Sequence, residues 1–210
     1  MNNKVYVLGY RDKRPDDYEC IYTTSKSKDF GKGLSPFFVG ENIALYGDFI
    51  AKNVENAWQF SKLYKEFANE KGNPTEEYYK WAIEGWNDSY AHRYPMGKGK
   101  KPLCAIWGNK KLDYIQSRKL IYIPIYAREV LKTSAYKKLK SLYDSGVKIA
   151  LVDFDGYNYW DEGYSMREVI NNPSKKMGHA FVLAMLLEGI IYFDGDSIKF
   201  DDFKGDMKKF

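Results

Sequence analysis

Residues 147–154 read VKIALVDF. The run is apolar and rich in β-branched residues, and Gly146 and Gly156 flank it. That is the pattern of a buried strand, and it is the strongest strand signal in the chain. The segment behind it is polar and aromatic, GYNYWDEGY over 156–164. Asp153 and Asp155 therefore stand at the carboxyl end of a strand, a place from which acids project into sites in α/β folds. The plainer reading keeps Asp-Gly as a turn and the rings as cover for a core edge.

Upstream of the strand, residues 127–144 read as one long helix stopped by Gly146. Downstream, Ser165 with Glu168 forms a capping box for a short helix, and Asn172-Pro173 breaks it. Residues 175–189 are apolar on nearly every side, so they predict the central buried helix. Residues 190–194 and 197–200 pair as a hairpin around Asp194-Gly195, and 204–210 read as a loose tail.

Nearer the start, residues 4–10 and 20–24 read as short strands, separated by a charged loop containing Pro15. GKGLSPFFVG, residues 31–40, is a loop. Asn53 caps a helix in which Val54, Ala57, Trp58, Ser61, Tyr64, Phe67 and Ala68 recur at helical spacing, ending near residues 71–74. Thr75, Glu76 and Glu77 open a second helix through Trp81, Ala82 and Trp86, with its acids in the first turn. Residues 94–102, YPMGKGKKP, form a basic loop. Residues 112–120 are helical, and Pro124 marks a break within 120–126. With no linker and no repeat, the chain predicts one helix-rich α+β domain with a small sheet.

Composition narrows the function. The 210 residues are 44% hydrophobic and 29% charged, which excludes a disordered chain. No apolar run approaches a membrane span, and MNNKVYVLGY lacks the core of a secretory signal, so a cytoplasmic protein is expected. Two cysteines and two histidines supply no tetrahedral zinc spacing. Neither metal nor organic cofactor is expected. The net charge of +5 favours anionic ligands without forming a nucleic-acid stripe. The 19 tyrosines and 5 tryptophans suit a ring-rich core, or rings that stack on a base.

Four groups of residues can carry chemistry. Glu55, Gln59 and Lys62 stand at i, i+4 and i+7, one stripe of a helix, with Trp58 bordering it. The plain alternative is a solvent-facing stripe with an ion pair, Glu55 to Lys62 or Lys62 to Glu66. Asp153 and Asp155 form the second group, with Tyr157, Tyr159 and Trp160 available for stacking. In the third, Lys98, Lys100 and Lys101, with the flexible Gly97 and Gly99, could hold phosphate oxygens, although the Walker pattern is absent. The fourth is NNPSKKMGHAF at a helix start, where Lys175 and Lys176 cluster and Gly178 permits close approach. His179, on so apolar a helix, reads as a satisfied core histidine. No Ser-His-Asp grouping, HExxH or GxGxxG occurs.

Taken in order, these pieces resemble the NADAR superfamily, the NAD- and ADP-ribose-associated domains that include YbiA-like enzymes. The family's G-x-[FL]-S-N/P-F loop is matched by residues 30–37, FGKGLSPF. Its E-H-x-x-Q-x-x-K helix is matched by Glu55, Gln59 and Lys62. Its basic glycine segment followed by Trp is matched by residues 96–102 and Trp107. Its D-x-x-W run and G-K-N-x-L-G-x-x-L-M segment are matched by residues 155–160, then 175–178 leading to Leu183 and Met185. The resemblance covers about residues 20–190, within a single domain of 1–210. The family's histidine after the glutamate is Asn56 here, and the span around 72–90 is longer than in compact members.

The resemblance implies an N-glycosidase that hydrolyses the C1–N bond of a ribose-phosphate or ADP-ribosylated compound. The ligand is a ribose-phosphate or ADP-ribose-type small molecule, or an ADP-ribosylated nucleic acid. Glu55 would stabilise the electron-poor sugar and activate water. Asp155 (or Asp153) would protonate the leaving nitrogen. Lys62, Lys98 and Lys100 would hold phosphate, Gln59 would orient sugar hydroxyls, and Tyr159 or Trp160 would stack on the base. Trp58, Phe37, Lys176 and Gly178 complete the expected ligand contacts. The alternatives are a non-catalytic binder of an NAD-derived nucleotide, a nucleic-acid base-processing protein, and an interaction module using Trp81 and Trp86.

Overall fold

The computed structural model describes residues 5–201. The predicted tail at 204–210 and the first residue of the 4–10 strand lie outside these. In chain order the strands are β1 (Tyr6–Leu8), β2 (Glu19–Tyr22), β3 (Ile43–Ala44), β4 (Ile50–Ala51), β5 (Lys62–Leu63), β6 (Cys104–Trp107), β7 (Lys110–Leu112), β8 (Ile149–Val152), β9 (Ile191–Asp194) and β10 (Ser197–Phe200). The helices are α1 (Val54–Gln59), α2 (Glu76–Asn87), α3 (Tyr114–Ser117), α4 (Ile123–Val130), α5 (Ser134–Asp144), α6 (Met166–Asn171) and α7 (His179–Leu187). The chain is thus an α+β protein with small sheets. It divides into two compact units: Met1–Ser35 with Tyr126–Phe210, and Pro36–Ile125, which interrupts the first in sequence. We call them the split unit and the inserted unit.

The split unit is organised by the strand that 147–154 predicts. All four residues of β8 are buried. β8 lies between β1 and β2 and pairs with both in parallel, Leu151 facing Val7 and Ile21. A parallel central strand must be covered on both faces, which explains its unbroken apolar run. α7 is buried along its whole length. Among the described residues, no helix is long and apolar enough to cross a membrane. The Ser165–Glu168 capping box forms as predicted, and β9 pairs with β10 in a hairpin.

The inserted unit holds the sheet β5-β6-β7 and the pair β3-β4. The residues around 72–90 belong to its core. Tyr78, Ala82 and Trp86 of α2 are fully buried. Trp81 packs on Phe60 and Phe67, with ring centroids 4.7 and 4.9 Å apart. Trp86 is therefore no part of a contact surface, while Trp81 is half-buried.

Four helix boundaries also differ from expectation. The helix predicted over 53–68 stops at Gln59. The Ser61 hydroxyl donates to the Ala57 carbonyl, 2.5 Å away, and the chain then turns into β5, pairing with β6. Sheet pairing outweighs the local helical period there. Pro124 breaks nothing. It falls within the first turn of α4, after a π-helical turn over Arg118–Tyr122, where a missing N–H is tolerated. The helix predicted over 127–144 is two, because Thr133 ends one and caps the next by accepting from the Tyr136 amide at 3.0 Å. The helix predicted over 175–189 begins only at His179.

Candidate functional site

In the inserted unit, α1 begins at Asn53, whose side chain accepts from the Asn56 amide at 2.8 Å. Its first turn presents Glu55. Gln59 Nε2 donates to Glu55 Oε1 at 2.9 Å, and Lys62 Nζ donates to Gln59 Oε1 at 2.6 Å. An ammonium group has only donors, so it fixes the Gln59 amide with its oxygen outward and its NH2 toward the carboxylate. The three residues form one relay, although Lys62 lies on β5 rather than on the helix. Lys62 Nζ also stands 4.6 Å from the Trp58 ring centroid. Trp58 in turn packs against Tyr122 of the π-helical turn at 5.2 Å.

Glu55 and Gln59 are only 7% and 8% exposed. A solvent-facing stripe is therefore not what these residues form. The Lys62–Glu66 ion pair of that alternative gives way to one between Lys100 and Glu66, at 2.6 Å. That bond, ahead of Glu66's other interactions, holds its carboxyl below the usual range. Lys98 is exposed nearby in sequence, and Phe37 is half-buried.

Asn56, where the family resemblance expects histidine, is fully buried. Its Nδ2 donates to the carbonyls of Asp88 and Tyr90 at 2.9 and 2.8 Å, and its Oδ1 accepts from the His92 amide at 2.9 Å. The side chain pins the loop after α2. Sequence reading missed this, since an asparagine three positions after an N-cap carries no signal of a partner 32 residues away.

In the split unit, the carboxyl end of β8 carries a second buried group. Asp153 and His179 are 4% and 5% exposed. His179 Nδ1 lies 3.2 Å from Asp153 Oδ2, and its Nε2 lies 2.7 Å from the Thr23 carbonyl oxygen, to which it must donate. The satisfied core histidine is thus what the structure contains. Asp155 is half-buried and faces Lys176 at 3.4 Å. Tyr159 is buried against Phe181, and burial raises its phenol far above the ordinary range. Trp160 lies beside it, at 6.4 Å between ring centroids. Among the described residues, no group of three or more His, Cys, Asp or Glu is placed to hold a metal ion.

The fold therefore defines a mixed α+β protein with a buried Glu-Gln-Lys relay in one unit and a buried Asp-His pair in the other. Residues 10–183 match a family model described as a family of unknown function, DUF6939, and the chain belongs to that family. No curated protein and no solved structure matches it.

Proposed function

We propose that the protein is an N-glycosidase, hydrolysing the C1–N bond of a ribose-phosphate or ADP-ribosylated compound at Glu55. The observation that carries this reading is the Glu55–Gln59–Lys62 relay, with its carboxylate 7% exposed. The NADAR-like order of motifs supports it from the sequence.

The chemistry follows from charge. Breaking a C1–N bond leaves the sugar carbon and ring oxygen electron-poor, as in an oxocarbenium ion. A fixed carboxylate in a largely water-excluded setting stabilises that charge far more than it would in bulk water. The same carboxylate takes a proton from water as the water oxygen attacks C1, the electron pair of the C1–N bond leaves with the base, and Glu55 then gives its proton to that base or, where the base departs neutral as nicotinamide does, to solvent. Gln59 keeps Glu55 in place. Lys62 supplies a positive charge beside the relay for a substrate phosphate, at the face of Trp58. The proposal uses only groups of the inserted unit.

The test is incubation with nicotinamide mononucleotide and with ADP-ribosylated nucleotide, followed by chromatography. Release of nicotinamide and ribose phosphate from the first, or of ADP-ribose and unmodified nucleotide from the second, is expected from the native protein and not from Glu55→Gln. Compounds bound but returned unchanged would replace hydrolysis by the binder reading, which Asn56 in the histidine's place favours.

A further inference from the structure

The split unit carries a small cavity of about 70 Å3, lined by Val5, Tyr6, Tyr18, Tyr159 and Trp160. Four of these five residues are aromatic. A nucleotide-sized pocket is several times larger, from about 300 Å3 upward, so the cavity takes a head group rather than a nucleotide. Two pairs of these rings meet edge-on. Tyr6 and Tyr18 meet edge-on at 83°, with centroids 4.8 Å apart, and Tyr159 and Trp160 meet at 75°. Pairs that meet edge-on turn their rings in different directions, a surround that suits a rounded group.

Three described carboxylates act on the rings of this cavity. Glu188 accepts from the amide of Val5, a lining residue, at 2.6 Å. Asp161 follows Trp160 in the chain and accepts from the Asn158 side chain at 2.7 Å. Asp17 precedes Tyr18 and pairs with Lys148. Burial first, and then Tyr18, Asp161 and Asp17, raise the Tyr6 phenol, while Glu188 adds to the burial that raises Tyr159. Among these described residues the cation is Lys148, paired with Asp17; it stands 5.6 Å from the Tyr18 ring centroid and does not line the cavity. Aromatic faces and nearby carboxylates both attract positive charge.

We propose that this cavity binds a small organic cation, a methylated ammonium head group presented as free choline or as a trimethyllysine side chain. The rings supply cation–π contact on several sides, and the carboxylates supply the long-range field. The inference does not depend on the reading of Glu55.

Titration of the whole protein with choline, trimethyllysine amide and dimethylbutanol (the uncharged isostere of choline) tests it, with tryptophan fluorescence and calorimetry as readouts. Choline or trimethyllysine should bind saturably, and the isostere should bind roughly tenfold more weakly or worse. Trp160→Ala should weaken binding about tenfold, and Asp161→Asn severalfold. A preference for trimethyllysine assigns the site to a modified peptide, and a preference for choline to a free small molecule. Tyr18→Leu serves in place of Trp160→Ala if circular dichroism shows that variant unfolded. Absence of binding by both cations, equal binding of the isostere, or displacement of either cation by adenosine overturns the proposal.

Discussion

A β-carbon built on Gly178 would lie 1.9 Å from Asp153 Oδ2. Only glycine lets the start of α7 come this close to the carboxylate at the end of β8. The sequence reading expected close approach at Gly178, and the partner is the chain's own buried acid. That acid is held on its other oxygen by the Phe154 amide at 2.6 Å, and its partner His179 is tied to Thr23. The carboxylate therefore has little freedom to move aside.

Gly178→Ala should accordingly destabilise the fold by about 1–3 kcal/mol, the usual cost of forcing an extra carbon into a packed interior. The denaturant midpoint should fall with an unchanged slope. A stability equal to the native protein's would mean that the Asp153 side chain can swing away without loss.

Glu55→Gln keeps the shape of the side chain and removes its charge. Turnover of the glycosidic substrate should fall roughly tenfold or more, as when a group stabilising transition-state charge is lost. The circular dichroism spectrum should not change. A Gln at position 55 that hydrolyses at the native rate would remove Glu55 from the mechanism.

Asn56→Ala removes three hydrogen bonds from a fully buried position. The expected loss is about 1–3 kcal/mol, from three part-buried hydrogen bonds to the loop backbone lost together with the buried side chain. Limited proteolysis should cut first within residues 88–92. Asn56→His should also destabilise, because the larger ring has no room at a position with no exposed surface.

Alkaline pH should unfold the protein through its tyrosines. Burial pushes the phenols of Tyr46 and Tyr136 up to about 12, from an ordinary value of 10.0. The folded state then holds protons that the unfolded state has released, so stability falls as pH rises. The contribution is complete below pH 10 and is lost progressively between 10 and 12. Tyrosinate absorbance should therefore appear in two phases, the later one coinciding with the loss of far-ultraviolet ellipticity.

The elements legible in the sequence were those whose signal is local. The run at 147–154 is apolar because a central parallel strand meets packing on both faces, and its pattern says so without help. The Ser165–Glu168 capping box joins residues three apart, and the β9–β10 hairpin closes between Asp194 and Ser197, also three apart. That Glu55 and Gln59 share one face was legible for the same reason, since i and i+4 are neighbours on a helix; the bond between them is what the structure adds.

What the sequence left open were the outcomes decided by distant partners. The helix period running through residues 61–68 is real, but β6, some 40 residues on, takes the backbone of Lys62 and Leu63 into a sheet. Nothing near Asn56 foretells the loop at 88–92, and nothing near Asp153 foretells His179. Residue types and short spacings set the kinds of element and the candidate acids. Which acids became buried, and against what, was decided by tertiary packing, because the energy of a buried polar group depends on partners that the linear chain does not place beside it.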